Sequence, residues 1–196
     1  MIKHIHHVCV SAGYSTYVLT PDQEIANCVD NSILVDDAAN GTARCALALE
    51  YFPEVDYFIN VQGDMPDVTQ EMIEKVGWLL QTYNVSTLYT IMPTELQNDP
   101  NSVKMIRAGD RALWFGRGMT GYGDWHLGIY GYRRQALEKY SSYEISTEEQ
   151  VEGLEQLRWL KQGWDIGCLH TDFDGIEINT PEDLEQWHKR ERNENN

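Results

Sequence analysis

An apolar stretch, Tyr57 to Val61, ends on Gln62, Gly63 and Asp64. This pattern predicts a buried strand followed by a turn, because glycine lets the backbone turn sharply and approach a ligand closely. Ligands of open α/β sheets bind beyond the carboxyl ends of the strands, and Asp64 would place there a carboxylate oxygen of the kind that Mg²⁺ prefers. The stretch therefore indicates either a Mg²⁺ site at Asp64 or an ordinary strand-end turn with a solvated carboxylate.

The overall charge restricts the partners. The chain has 31 acidic and 15 basic residues and a formal net charge of −16. Nucleic acids and anionic membrane surfaces are disfavoured as partners, because both require a basic surface. A small anionic substrate requires a local group of Lys and Arg, or a divalent cation. Hydrophobic residues make up 42% of the sequence, which is enough for a folded core.

The cysteines and an N-terminal histidine group are residue types that can bind metals. The four cysteines are Cys9, Cys28, Cys45 and Cys168, and the histidines are His4, His6 and His7. The cysteines are widely spaced without a CxxC pair, which indicates reduced thiols in a cytoplasmic protein rather than a zinc site. The histidine spacing suits the solvated side of a first helix better than a metal site.

Predicted helices and strands alternate along the first half of the chain. Helices are predicted over residues 1–12, 23–29, 43–52 and 69–81, and strands over 15–20, 32–35, 57–61 and 85–92. Strands that alternate with helices through short connections are typical of βαβ units. We therefore expect a parallel sheet that is covered by helices on both faces.

The second half is richer in strands. We predict a hairpin of 102–107 and 111–115, strands over 127–132 and 165–170, a helix over 148–161, and a last helix that Thr180 caps with Pro181 at its first position. On the 148–161 helix, Glu152, Glu155 and Gln156 would share one face. The predicted fold is a three-layer α/β domain with a β-rich excursion, over residues 1–190, followed by a polar tail at 191–196.

Six stretches together resemble a known family. They are INVQGDMP (59–66), DPNSVK (99–104), ALWFGRG (112–118), HLGIYGYR (126–133), VEGLEQLR (151–158) and NTPEDL (179–184). In this order they resemble the 3-deoxy-manno-octulosonate cytidylyltransferases, or CMP-Kdo synthetases, from Met1 to about Trp187. HLGIYGYR followed by LEQLR separates this family from the acylneuraminate cytidylyltransferases, which share the fold.

The resemblance implies a Mg²⁺-dependent enzyme of lipopolysaccharide biosynthesis with a Rossmann-like nucleotidyltransferase fold. In this reaction the anomeric hydroxyl of the sugar acid Kdo attacks the α-phosphate of CTP, which gives CMP-Kdo and pyrophosphate. The family enzymes are typically homodimers. The sequence does not separate Kdo from its 8-amino analogue as the substrate, since both present the same carboxylate and ring to this pocket.

The resemblance also implies residue roles. The sugar-acid pocket corresponds to Gln62, Arg117, His126, Tyr130, Glu155 and Gln156. The nucleotide segment corresponds to Asn40, Gly41, Thr42 and Arg44, and the metal ligands to Asp64, which is also the catalytic residue, and Asn179. Lys104 is expected to have either a structural role or a phosphate contact. A sugar acid requires a cation for its carboxylate and paired donors and acceptors for its hydroxyls, which agrees with this set.

Two departures from the family lead to three hypotheses. The strand and the phosphate-binding loop that begin the family members have no counterpart before Met1, and Asn179 replaces an aspartate, which should weaken Mg²⁺ binding. The chain is then a divergent or shortened cytidylyltransferase, a non-catalytic domain that retains the sugar-acid pocket, or a subunit whose phosphate loop comes from another chain. The missing strand also predicts exposed sheet edges and hence oligomerisation.

Overall fold

The computed structural model of the chain describes residues 1–178 and 180–194. The strands in this part are β1 Val18–Thr20, β2 Ser32–Leu34, β3 Tyr57–Asn60, β4 Val85–Thr90, β5 Lys104–Ala108, β6 Arg111–Gly116, β7 Asp124–Arg133 and β8 Ile166–His170. The helices are α1 Ile2–Ser11, α2 Gln23–Ala26, α3 Gly41–Tyr51, α4 Gln70–Leu79, α5 Arg134–Tyr140, α6 Thr147–Glu152, α7 Leu157–Lys161 and α8 Pro181–Glu194. The predicted alternation in the first half and the β5–β6 hairpin are confirmed.

The main sheet has six strands in the order β3-β7-β4-β8-β6-β5. The expectation of a parallel sheet is wrong, because the long strand β7 lies between β3 and β4 and is antiparallel to both. Only the β4–β8 pair is parallel among the pairings of this sheet in the described residues. The strand-rich second half therefore supplies the centre of the sheet as well as the hairpin at its edge.

The two shortest strands lie outside this sheet. β1 and β2 pair with each other in parallel, and β3 is the terminal strand of the larger sheet, where it pairs with β7. Helix α3 contacts both β1 and β3. The two sheets are thus held together by a shared helix rather than by a ladder of hydrogen bonds, and β3 has no second strand partner among the described residues.

Hydrophobic cores cover both faces of the main sheet. One core surrounds Phe58, Tyr132 and Trp159, under the helices α3, α5 and α7. The other includes Ile5 and Met72, which bring α1 and α4 onto the opposite face. Helices, sheet and helices give the three-layer α/β architecture that the sequence predicts.

Side-chain caps fix the starts of the helices near the site. Asn40 caps α3 by accepting the backbone N–H of Ala43 at 2.8 Å. Before α8, the Thr180 hydroxyl accepts the N–H of Asp183 at 3.2 Å, and the Asp183 carboxylate accepts the N–H of Thr180 at 2.8 Å. These reciprocal bonds confirm the predicted cap at Thr180.

The prediction of a single helix over residues 148–161 is wrong. Gly153 ends α6 in the left-handed conformation, with a φ of 63°, and α7 begins only at Leu157. Glu152, Glu155 and Gln156 therefore do not share a helical face. The structure also contains helix α5, which we did not predict. The residue before it, Arg133, is not a usual capping residue, and its side chain makes no capping hydrogen bond.

The four cysteines are free thiols in the described part of the chain. No three His, Cys, Asp or Glu side chains among the described residues are grouped as a metal site. No helix in the same part of the chain is long and apolar enough to cross a membrane.

Candidate active site

A cavity of about 210 Å³ opens at the end of β3 and along the middle of β7. It is lined by all seven residues predicted for the sugar acid and for catalysis, namely Gln62, Asp64, Arg117, His126, Tyr130, Glu155 and Gln156. Sites for drug-sized ligands usually measure roughly 300–1,000 Å³. The cavity therefore suits a small polar molecule rather than a whole nucleoside triphosphate.

An irregularity in β7 shapes the wall of the cavity. The register between β4 and β7 shifts after Thr87, so Gly128 and Ile129 have no partners in β4. The carbonyl oxygen of Gly128 accepts a hydrogen bond from Nε2 of Gln62 at 3.0 Å. The Thr87 hydroxyl donates to the carbonyl oxygen of Ile129 at 2.8 Å. His126 and Tyr130 lie four residues apart on β7, so the period-2 alternation of side chains along a strand turns both toward the cavity.

His126 is buried and held in one orientation. Its Nε2 lies 3.0 Å from the Thr87 hydroxyl, and its ring packs edge-on against Phe115. Burial, with a smaller effect of the Arg117 charge, lowers the pKa of His126 to about 3. The imidazole is thus neutral at physiological pH and serves as a hydrogen-bonding group rather than as a cation.

Arg117 is the cation that lines the cavity. A backbone clamp positions it, since the Glu152 carboxylate accepts the N–H of Arg117 at 2.6 Å and that of Gly118 at 3.3 Å. Its guanidinium donates to the carbonyl oxygen of Asn101 at 2.5 Å. Lys104 is completely buried, and its ammonium donates to the carbonyl oxygens of Asp99 and Arg117. Of the two roles expected for Lys104, the contacts support the structural one.

Glu155 joins the cavity to the start of α3. Its carboxylate accepts the Thr42 N–H at 2.9 Å and the Thr42 hydroxyl at 2.6 Å. Burial raises the pKa of Glu155, and these two bonds oppose that shift. The neighbouring Gln156 is 2% exposed, and its Nε2 has no hydrogen-bond partner. A buried unpaired donor in a cavity wall is costly without a ligand, so Gln156 points to one.

The residues predicted for the nucleotide lie beside the cavity rather than in its wall. Asn40 caps α3 and donates to the Tyr140 hydroxyl at 2.9 Å, while Arg44 pairs with Asp37 at 3.2 Å. Thr42 is bonded to Glu155. A Cβ on Gly41 would lie 3.7 Å from Oε1 of Glu155, so the backbone there closely approaches the cavity.

Glu177 also lines the cavity, although it is not among the residues predicted from the sequence. Burial, then the charge of Asp64, raises the pKa of Glu177 to about 7. Burial also raises the pKa of Asp64, and a backbone N–H opposes this shift. The sequence does contain a signal: Glu177 is a lone acid between Ile176 and Ile178, in the segment that follows the last strand.

The described acids suit a hard cation. Asp64 and Glu177 bring two carboxylates to one cavity, and Mg²⁺ is typically held by one or two carboxylates together with substrate phosphates. Asn179, the other predicted ligand, lies outside the described residues.

Most of the chain matches a protein-family model. The family model described as Cytidylyltransferase matches residues 1–166. The chain belongs to the cytidylyltransferase family. Cytidylyltransferases are nucleotidyltransferases and generally use a divalent metal.

Two curated relatives illustrate the match. The 3-deoxy-manno-octulosonate cytidylyltransferase of Acaryochloris marina is 34% identical, over 94% of this chain and 83% of the relative. The 8-amino-3,8-dideoxy-manno-octulosonate cytidylyltransferase of a Shewanella species is 32% identical, over 97% of this chain and 87% of the relative. Both are similar along nearly the whole chain, as the six matched stretches predict.

The solved structures support the same fold. A structure of CMP:2-keto-3-deoxy-manno-octonic acid synthetase complexed with CTP superposes with a TM-score of 0.90 at 27% identity, over 98% of this chain and 88% of that one. The inositol-1-phosphate CTP transferase of T. maritima superposes at 0.68 with 15% identity, over 93% of this chain and 78% of that one, and shows the fold alone. The predicted nucleotidyltransferase fold and family are confirmed.

Proposed function

We propose that the chain is a cytidylyltransferase that activates a Kdo-type sugar acid with CTP and releases CMP-sugar and pyrophosphate. The observation that carries the proposal is the convergence of the seven predicted residues on one small polar cavity. The curated relatives, named for Kdo and its 8-amino analogue, support the choice of substrate. CTP is supported as the nucleotide by the complex named above.

The sugar acid would occupy the cavity with its carboxylate on Arg117. A guanidinium binds a carboxylate through two parallel hydrogen bonds. The unpaired Nε2 of Gln156 supplies a donor for a sugar hydroxyl, and the neutral His126 adds a buried polar group. Gln62 would contribute its amide oxygen, since its Nε2 is bonded to Gly128. Burial fixes the side chains of His126 and Gln156 before the ligand arrives, which favours binding.

The nucleotide would approach from the start of α3, where we propose contacts from Asn40, Gly41, Thr42 and Arg44. Gly41 borders the cavity, so a nucleotide at this position would have its phosphates near the sugar acid. The anomeric oxygen then forms a bond to the α-phosphorus as the bond to the pyrophosphate breaks, and the hydroxyl proton is lost to solvent or to a nearby base. The chain contributes mainly orientation and electrostatics to such a reaction.

We propose Mg²⁺ as the metal, held by Asp64 and Asn179. When bound, the cation supplies positive charge that stabilises the phosphoryl oxygens in the transition state. The charge of the cavity supports the need for a metal ion. Among the described residues, its wall contains three carboxylates and only one cationic side chain. Two anionic substrates would bind there poorly without added positive charge.

The same electrostatic observation favours a second candidate. A triphosphate requires several cationic or N–H groups, and the described wall of the cavity contains only Arg117 as a cation. A non-catalytic or split homologue that retains the sugar-acid pocket is therefore the alternative. In that case a partner would supply the phosphate-binding groups.

We also propose that each chain folds as one domain over residues 1–190. Two such chains would form a homodimer in the cytoplasm. The edge of β3 supports the association, since unpaired strand edges tend to pair with another chain. Analytical ultracentrifugation at micromolar concentration should show a dimer. A monodisperse monomer would argue against this part of the proposal.

The test of the activity is direct. The purified chain is incubated with CTP, MgCl₂ and either Kdo or its 8-amino analogue, and the products are measured by mass spectrometry and by pyrophosphate release. We expect CMP-sugar and pyrophosphate in equal amounts. Sugar-acid binding without any product would favour the alternative.

A further inference from the structure

Glu177 lies in a segment that is fixed on both sides of it. The N–H of Ile176 donates to the Asp67 carboxylate at 3.0 Å, and the N–H of Ile178 donates to the carbonyl oxygen of Asp64 at 2.8 Å. These two bonds fasten the segment to the loop that carries Asp64. The position of Glu177 next to Asp64 is therefore built into the backbone.

The carboxylate of Glu177 points toward the same cavity as Asp64. Both residues line it. The bond from Ile178 to the Asp64 carbonyl keeps the two carboxylates on neighbouring segments. Two acids held close together in a partly buried site repel each other unless a cation or a proton lies between them.

A second observation indicates that this cavity binds a ligand. Gln156, which is 2% exposed, has an Nε2 without a partner in the same wall. A paired set of acids beside an unsatisfied buried donor is not what a purely structural cavity requires, because each of these groups costs stability when the cavity is empty. The arrangement is that of a site completed by a cation and a polar ligand.

We propose that Glu177 is a second carboxylate ligand, together with Asp64, for the divalent cation of the reaction. The inference rests on the proposed function, and it assigns to Glu177 a role that the six matched stretches do not give it. A neutral amide at Asn179 makes a weaker ligand than a carboxylate. Glu177 supplies a negative charge two residues earlier in the same segment.

The test is Mn²⁺ binding, measured by electron paramagnetic resonance on the full chain without substrates. The variants are Glu177→Gln, Asp64→Asn and, as a matched control, Glu144→Gln, which removes the same charge from an exposed loop position. We expect the dissociation constant to rise about tenfold or more in the first two variants, because each removes one anionic ligand. The control should change by less than about twofold, as expected for a distant exposed charge. Glu177→Asp should retain part of the affinity.

Thermal unfolding gives a second readout that does not depend on activity. Without metal, Glu177→Gln should unfold at a higher temperature than the wild type, since the repulsion from Asp64 is removed, and Mn²⁺ should stabilise it less. Wild-type Mn²⁺ affinity in Glu177→Gln, or no Mn²⁺ binding by the wild type, would overturn the inference.

The two proposals fail in different ways. If the wild type produces CMP-sugar and Glu177→Gln retains full Mn²⁺ affinity, only the role of Glu177 is wrong. If Mn²⁺ affinity depends on Glu177 and no CMP-sugar forms, the ligand assignment stands and the proposed reaction is wrong.

Discussion

The two sides of the candidate active site are built very differently. On the side of β7, the bulge at Gly128, the clamp on Arg117 and the buried His126 hold polar groups around a formed cavity. On the side of α3, the side chains of Asn40, Thr42 and Arg44 are engaged with other parts of the chain, and β1 and β2 stand apart from the main sheet. The cavity wall at β7 is therefore preorganised, whereas the side chains proposed to bind the nucleotide are held by contacts within the chain.

The largest effect is expected at Asp64, the proposed metal ligand in the cavity wall. Asp64→Asn retains the shape of the side chain but removes the charge that would hold the cation. We expect the rate of pyrophosphate release to fall by about a thousandfold or more, since loss of a metal ligand removes much of the transition-state stabilisation. Asp30→Asn, at an exposed position, is the control. An unchanged rate in Asp64→Asn would refute the metal assignment.

The next effect separates the two sides directly. Arg117→Ala should raise the KM for the sugar acid by about 10- to 100-fold, the range for a lost charge-assisted hydrogen bond. The KM for CTP should stay within about threefold, because the guanidinium is assigned to the sugar acid alone. Steady-state kinetics with each substrate varied in turn provides the measurement. An equal rise in both constants would show that the two sides are not independent.

The link between the sides has a measurable stability. Thr42→Val removes the hydroxyl that donates to Glu155 at 2.6 Å and leaves a buried carboxylate with one donor fewer. We expect the free energy of unfolding to fall by about 1.5–3 kcal/mol in urea titrations, as for a hydrogen bond to a charged group. Thr16→Val, which removes an exposed local bond to Tyr14, should cost less than about 0.5 kcal/mol. Equal losses in the two variants would contradict the link.

The smallest effect concerns the preorganised side and its pH dependence. Burial lowers the pKa of His126 to about 3, whereas an unfolded histidine titrates near about 6.5. Between these values the unfolded chain binds a proton that the folded chain does not, so stability falls as the pH decreases. The contribution is at most about 1.4 kcal/mol per pH unit. Urea titrations from about pH 6.5 to 4.5 should give a steeper slope for the wild type than for His126→Gln, and parallel curves would contradict the burial of a neutral imidazole.

Much of the fold follows from local sequence signals. The Ala108-Gly109-Asp110 turn is enough to predict the β5–β6 hairpin, and Thr180 with Pro181 is enough to predict the start of α8. The placement of β7 between β3 and β4 was not predictable in this way. It depends on pairing between residues far apart in the chain, which no local periodicity encodes.

The helix errors have local physical causes. The stretch 148–161 has helical periodicity, but Gly153 adopts a left-handed conformation that ends α6. As a result, Glu155 does not share the predicted helical face with Glu152, and its carboxylate binds Thr42 instead. Helix α5 follows β7 directly at Arg134, without a capping side chain or a turn between the two elements. Standard start signals are therefore missing there.

Residues of the candidate site were predictable only where they lie in the stretches that resemble the family. The seven residues predicted for the cavity come from four separate stretches of the chain, and only the similarity to a family brought them together before the structure did. Glu177 lies outside those stretches. Its proximity to Asp64 arises from hydrogen bonds between segments far apart in the sequence, as in the bond from the N–H of Ile178 to the carbonyl oxygen of Asp64.

The central claim is that the preorganised cavity binds a sugar acid. Isothermal titration of the purified chain with Kdo, and separately with CTP plus Mg²⁺, tests it most directly. We expect heat from Kdo that is lost in Arg117→Ala, whatever the result with CTP. Absence of binding by both Kdo and its 8-amino analogue would contradict the assignment of the cavity to a sugar acid, even if CTP binds.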